Sequence, residues 1–351
     1  MSKNPRDARR TARLRHRLHD YAVFLVLVAI CVYLGIATDT FATADNLANV
    51  SEQISEVGIL ATGMTMLLVS GNLDLSIGGM VALIGVIAAI VMNGYSMTAG
   101  VAAAVLSGLV LGVINGLIVT RLRVNSLVAT LGSGLAFGGL AFLLSGSQPL
   151  VVDDRSLQIL MSTRYAGVPV PSYMFAVVIL AAAWFLHGTV GGRQLFAVGA
   201  NPEASRYAGI RVDRVRFIPF VVTGFLASLA SLILTGLLDT ADPSAGGKLP
   251  LEVIAAVVVG GVSIAGGRGT IFMAVVGVVL IGVVSNGFNL LDLDPNYQSI
   301  FTGAIIVVAV AVDSLMRKRA AQATATVPPG AEADEPAAPP LPAAARPRIQ
   351  S

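Results

Sequence analysis

The chain of 351 residues is 55% hydrophobic and 12% charged, with a mean hydropathy of +0.79. A soluble domain carries about 25% charged residues, whereas eight stretches here (21–38, 57–73, 75–120, 126–152, 165–192, 217–238, 269–291 and 295–312) hold no Asp, Glu, Lys or Arg at all. That composition excludes a soluble enzyme and a disordered chain, and the net charge of +3 sits at membrane flanks, where it reports topology rather than nucleic-acid binding.

A helix needs roughly 20 apolar residues to cross the hydrocarbon core, and barrel strands of about 10 residues would alternate in polarity. No stretch alternates over that length, so the expectation is an all-α polytopic membrane protein of about ten spans. The arm 1–20 carries seven Lys/Arg and two Asp, which places the N-terminus in the cytoplasm. Span 1 covers about 21–37; Ala42-Thr43-Ala44 resembles a cleavage site, but the apolar run before it exceeds a usual signal core and many spans follow. Span 2 enters through Glu52 and Glu56 and ends near Val69. The segment Ser70–Gly79 (SGNLDLSIGG) then breaks the helix. Residues 75–120 exceed one span, with Asn93-Gly94-Tyr95-Ser96 as the turn between spans 3 and 4. Gly108, Gly112 and Gly116 of span 4, and Gly134 and Gly138 of span 5 (about 126–145), recur every four residues and form stripes that let helix backbones approach closely. A polar loop, 146–169, leads to span 6, about 170–187.

The stretch 188–216 is the main polar interruption, read as a cytoplasmic loop with one short helix at 201–209. Asn201 is the N-cap, Pro202 sits at the first helical position, Glu203 meets the positive end of the dipole and Gly209 supplies the stop. Arg193, Arg206, Arg211, Arg214 and Arg216 face only two acids, Glu203 and Asp213. On charge alone the stretch reads as a solvated loop obeying the positive-inside bias, or as a docking surface. Span 7 covers about 217–238. Span 8, about 251–265, is short enough to be re-entrant. Span 9 (about 269–291) and span 10 (about 297–315) follow, and Arg317-Lys318-Arg319 ends the transmembrane region 21–316. Residues 317–351, rich in Ala and Pro, read as a disordered cytoplasmic tail. In this layout eighteen Lys/Arg flank spans on the inside and three (Arg155, Arg164 and Lys248) lie outside.

Catalytic motifs are missing from the sequence. Gly247-Lys248 lacks Walker spacing, and no GxSxG, HExxH or CxxC occurs. Cys31 is the single cysteine, and His16, His19 and His187 are dispersed, so neither a disulfide nor a metal site is expected. The informative residues are polar groups inside apolar blocks. Asp74 is either a functional ionisable group or a cap that accepts backbone N–H groups with help from Ser76. Asn72 and Asp74 sit in the helix break. Asn115, Asn286 and Asn289 either bond between helices or line a polar path suited to a hydroxyl-rich substrate, and Asn286 and Asn289 share a helix face by their spacing.

Four stretches, in order, carry a family resemblance: 41–79 with its Asp-Leu-Ser, 112–132 (GVINGLIVTRLRVNSLVATLG), 192–209 (GRQLFAVGANPEASRYAG) and 260–291 (GGVSIAGGRGTIFMAVVGVVLIGVVSNGFNLL). The chain resembles the permease subunit of ribose-type monosaccharide ABC importers, whose domain is shared with branched-chain amino-acid permeases. Asn72, Val124-Asn125-Ser126, Ala200 and Ser205 depart from the usual family residues. The resemblance implies a bacterial inner-membrane subunit that pairs with a second permease copy or homologue. It also implies two ATPase subunits that use the ATP, so that this chain needs no cofactor, and an extracytoplasmic sugar-binding protein. Residues Arg193, Asn201, Pro202, Glu203, Ala204, Arg206 and Gly209 would form the ATPase-coupling loop, and Asn72, Asp74, Ser76, Asn115, Asn286 and Asn289 the substrate pathway. The alternatives are an ABC permease for branched-chain amino acids or nucleosides, and an ion-coupled secondary transporter using Asp74 and Glu56.

Overall fold

The computed structural model describes residues 23–294, 296–304, 307 and 311. The basic arm 1–20 and the tail 317–351 lie outside the described residues, as does much of span 10. The chain is mostly helical. In order, α1 (Val23–Ala37), α2 (Ala44–Val69), α3 (Ile77–Gly94), α4 (Met97–Thr120) and α5 (Ser126–Leu144) make up the first half. A short connection follows, with β1 (Leu150–Val151), α6 (Ser156–Ser162), β2 (Arg164–Tyr165) and β3 (Val168–Pro169). Then come α7 (Val170–Gly188), α8 (Val190–Ala200), α9 (Pro202–Tyr207), α10 (Val212–Leu238), β4 (Thr240–Ala241), α11 (Leu249–Val259), α12 (Ile271–Leu290) and α13 (296–304). Among the described residues six helices, α3, α4, α5, α7, α10 and α12, are long and apolar enough to cross a membrane.

The helices begin where the sequence offers caps. Thr43 accepts from the Asn46 N–H at α2, Ser96 from Ala99 at α4 and Thr270 from Met273 at α12, which satisfies donors that have no partner within the helix. The turn expected at residues 93–96 separates α3 from α4 as read from the sequence. Span 8 is α11, only 11 residues or about 16 Å, followed by an irregular turn over 260–270. β1 pairs antiparallel with β4, Leu150 opposite Ala241, and so ties the α5–α6 connection to the end of α10. Asp154 accepts from the Ser156 hydroxyl and backbone N–H, and these two bonds hold its carboxyl below the usual carboxylate range.

The glycine stripes mark the tightest helix contacts. A Cβ at Gly108 or Gly112 of α4 would collide with the backbone of α10, at the Gly224 and Phe220 carbonyls, and Gly79 of α3 meets α5 at Gly134. α2 runs through the centre, packed by α7, α10, α11 and α12. Every residue from Gly58 to Ser70 is buried. At one end of α2, Leu27, Leu34 and Phe41 pack with Leu280 and Val283 of α12. At the other end, Met66 and Val69 pack with Leu186, Leu195, Val198, Val212 and Ile271.

Candidate functional site

Two places gather the polar residues singled out in the sequence, at the end of α2 and just beyond it. α2 stops in a Schellman turn: Asn72 N–H donates to Leu67 O at 2.9 Å, Gly71 N–H donates to Leu68 O at 2.9 Å, and Gly71 takes φ +79. Asn72 adopts no positive φ, so an asparagine is sterically ordinary there; its side chain donates to Ser70 Oγ at 3.0 Å. The irregular backbone that follows is satisfied by side chains. Leu73 N–H donates to Ser126 Oγ at 3.3 Å and Leu75 N–H to Thr130 Oγ1 at 3.0 Å, both on α5. Asp74 Oδ1 accepts from the Ser76 N–H at 2.8 Å and hydroxyl at 2.6 Å. From α4, Asn115 Nδ2 donates to Ser76 Oγ at 2.6 Å and reaches Asp74 Oδ2 at 3.5 Å. Asp74, Ser76 and Asn115 have no exposed surface at all, and Asn115 Oδ1 is buried without a partner. The structure therefore brings Asp74, Ser76 and Asn115 together, while the Asn72 side chain bonds to Ser70.

Asn286 and Asn289 lie elsewhere and apart from each other. Asn286 is buried and exchanges two amide hydrogen bonds with Asn46 of α2, at 3.1 and 2.9 Å, while Asn46 also donates to Phe41 O. Asn289, one turn on, is exposed. The helix face shared by spacing is thus split between a closed interhelical pair and a surface position.

The second place is the stretch 188–216, which is not the loop with one helix that its polarity suggests. It folds as α8, α9 and the first turn of α10. α8 escaped the sequence reading because its three glycines, Gly191, Gly192 and Gly199, disguise an amphipathic helix that buries Leu195 and Val198. Gly192 sits where a Cβ would collide with the Leu186 carbonyl, so the chain turns back from α7 at once. Asn201 closes α8 and opens α9: its N–H donates to Ala197 O and its Oδ1 accepts from the Ala204 N–H at 2.9 Å. Pro202 starts α9, and the helix ends at Tyr207, not Gly209. Gly209, at φ +80, forms the Schellman turn beyond it, with Gly209 N–H to Arg206 O and Ile210 N–H to Ser205 O. Ser205 is the buried anchor of α9. Arg193, Glu203, Ala204, Arg206 and Gly209 are exposed. Arg206 pairs with Asp213 at 3.7 Å with both side chains largely solvated, a pair worth about 0–1 kcal/mol.

What the sequence reading missed is how this surface is joined to the core. A Cβ on Gly199, at the end of α8, would collide with the Val69 carbonyl and lie 2.7 Å from Gly267 N. That same carbonyl accepts the Gly267 N–H at 2.9 Å, and Gly266 lies against Gly71 and the Gly199 carbonyl. The ends of α2 and α8 and the 263–269 turn thus meet backbone to backbone. The run Ala265-Gly266-Gly267-Arg268-Gly269 was the available signal.

A family profile described as "Branched-chain amino acid transport system / permease component" matches residues 46–310, from the first turn of α2 to beyond α13. The chain belongs to this permease family. The permease is 38% identical over 296 residues to the ribose import permease protein RbsC of Escherichia coli, covering 83% of this chain and 91% of that one. It is 34% identical over 298 residues to the ribose import permease protein RbsC of Haemophilus influenzae, covering 84% and 92%. To the L-arabinose transport system permease protein AraH of Escherichia coli it is 34% identical over 300 residues, covering 85% and 92%. With six long apolar helices among the described residues, the permease is a multi-pass protein of the bacterial inner membrane.

Proposed function

We propose that this permease is the membrane subunit of an ATP-driven ABC importer that takes in a monosaccharide of the ribose or arabinose kind. The sugar relatives support the cargo. The observation that carries the mechanism is α9: an exposed, doubly capped helix whose preceding helix, α8, is seated by glycine contacts on the end of the central helix α2. Each permease copy pairs with a second copy or a homologue above two ATPase subunits. An extracytoplasmic binding protein delivers the sugar. About ten helices traverse the membrane, α11 partway, and both termini are cytoplasmic. This chain hydrolyses no ATP. Glu203, Ala204 and Arg206 meet the ATPase, with Asn201, Pro202 and Gly209 shaping the helix and Arg193 adding charge from α8. Movement imposed on α9 then reaches α2 and shifts the population between outward- and inward-open packings. In the pathway, Asp74, Ser76, Asn115 and Asn72 hold the α2–α3 break in shape, Asn286 fixes α12 to α2, and Asn289 is the asparagine free to meet substrate.

The test is uptake by proteoliposomes holding the permease, its ATPase and its binding protein. ATP-dependent entry of labelled ribose or arabinose, insensitive to an uncoupler, is expected; leucine entry instead would overturn the cargo, and uncoupler-sensitive entry at normal ATP would overturn the ABC class. Arg206→Glu should insert normally yet take up less sugar per ATP hydrolysed. Wild-type coupling in that variant would remove α9 from the ATPase interface.

A further inference from the structure

A cleft of about 550 Å³ opens between the C-terminal end of α4 and the segment joining α9 to α10. Four arginines line it: Arg121 from α4, Arg206 from α9, and Arg211 and Arg214 from the start of α10. Asp213 is the single acid in the lining, and it already faces Arg206. The arginines on α10 are badly placed for the helix itself. Arg211 is its N-cap and Arg214 lies in its first turn, where the positive end of the dipole favours anions; Asp213 is the one acid in that turn, and no side chain caps that end. The cations therefore repel one another and the dipole, a conflict that a bound anion relieves.

The rest of the lining is Thr120 and four apolar residues, Leu117, Ile210, Val212 and Phe217. Leu117 is the last member of an exposed stripe on α4 that runs back through Ile114, Val110 and Leu106, positions three or four apart and so on one face. That stripe lies on a helix long enough to span a membrane. The cleft thus joins an arginine-lined pocket to an outward apolar track that runs along the membrane-spanning helix. We infer that the cleft binds the phosphate headgroup of an anionic phospholipid, whose acyl chains lie along the α4 stripe. Basic pockets between membrane helices suit such headgroups, and Arg matches phosphate in a planar fork. An acidic segment of a partner protein would satisfy the arginines but leave the track unused, which is why the lipid is the better occupant. The cleft shares Arg206 with the exposed face of α9 but not Glu203 or Ala204, and it does not depend on the transported cargo.

The experiment is native mass spectrometry and thermal unfolding of the full-length chain in zwitterionic detergent, with phosphatidylglycerol or phosphatidylcholine added. One retained phosphatidylglycerol and a raised melting temperature are expected, with no such effect from phosphatidylcholine or from inorganic phosphate. Arg121→Ser with Arg214→Ser should weaken phosphatidylglycerol retention by about thirtyfold, the loss of two juxtamembrane charges. Arg123→Asn removes a nearby charge outside the cleft at a positive-φ position that Asn tolerates, and should retain the lipid. Equal retention of both lipids, equal loss in Arg123→Asn, or equal protection by inorganic phosphate would each overturn the proposal, the last by making this a small-anion site.

Discussion

Gly199→Ala tests the backbone junction most directly. The new methyl would collide with the Val69 carbonyl and lie 2.7 Å from Gly267 N. Neither is the end of a flexible side chain, so α8 must move away from α2 or the 263–269 turn must shift. Overpacking of a close backbone contact costs about 1–3 kcal/mol, and losing the Gly267–Val69 hydrogen bond adds about 1 kcal/mol. Against this, alanine is favoured over glycine inside a helix such as α8 by about 1 kcal/mol. The net is a destabilisation of about 1–3 kcal/mol, concentrated at the joint between α8 and α2. Gly132→Ala is the control: Gly132 lies within α5 with nothing within 4 Å of its added Cβ, so only the helix gain of up to about 1 kcal/mol remains. Thermal unfolding of the purified assembly should fall for Gly199→Ala and hold or rise for Gly132→Ala. The ratio of sugar transported to ATP hydrolysed should fall for Gly199→Ala alone. A wild-type melting temperature together with a wild-type ratio in Gly199→Ala would refute the junction as a rigid contact.

The Asn46–Asn286 pair should behave as a unit: Asn46→Leu or Asn286→Leu alone strands a buried amide and costs about 1–3 kcal/mol, whereas the double variant should recover most of that loss; additive unfolding energies would show that the pair is not coupled. Asp74→Ala removes the acceptor of the Ser76 N–H and hydroxyl and should reduce transport more than membrane insertion, measured as uptake per inserted protein. Wild-type uptake would make Asp74 a dispensable cap. Together with Arg206→Glu, these variants separate the buried break, the α2–α12 clamp and the exposed helix.

Much of the helix layout is legible in the sequence because hydrophobic length and cap residues are local signals. The turn at 93–96, the cap at Asn201 and the stop at Gly209 appear where the residues put them. The partners of the buried polar groups were not legible, because pairing is set by tertiary contacts: nothing local in Asn286 points to Asn46, 240 residues away. Asn286 and Asn289 illustrate the limit of periodicity, since three residues is close enough to share a face yet far enough to be buried and exposed at the edge of one contact. α8 was missed for the opposite reason. Its glycines lower helix propensity, and it is stabilised by what Leu195 and Val198 bury rather than by its own sequence.

The break between α2 and α3 has a mechanical consequence. Its two amides, Leu73 and Leu75, are satisfied by Ser126 and Thr130, which lie one turn apart on α5, while Asn115 fastens the same segment to α4. Sliding α5 or α4 along this segment would strand partly buried backbone donors and the buried Asn115 amide, so the break behaves as a rivet rather than a hinge. The inner end of α2, the start of α3, α4 and α5 travel as one plate, and any flexing of the permease has to be sought at that plate's edges.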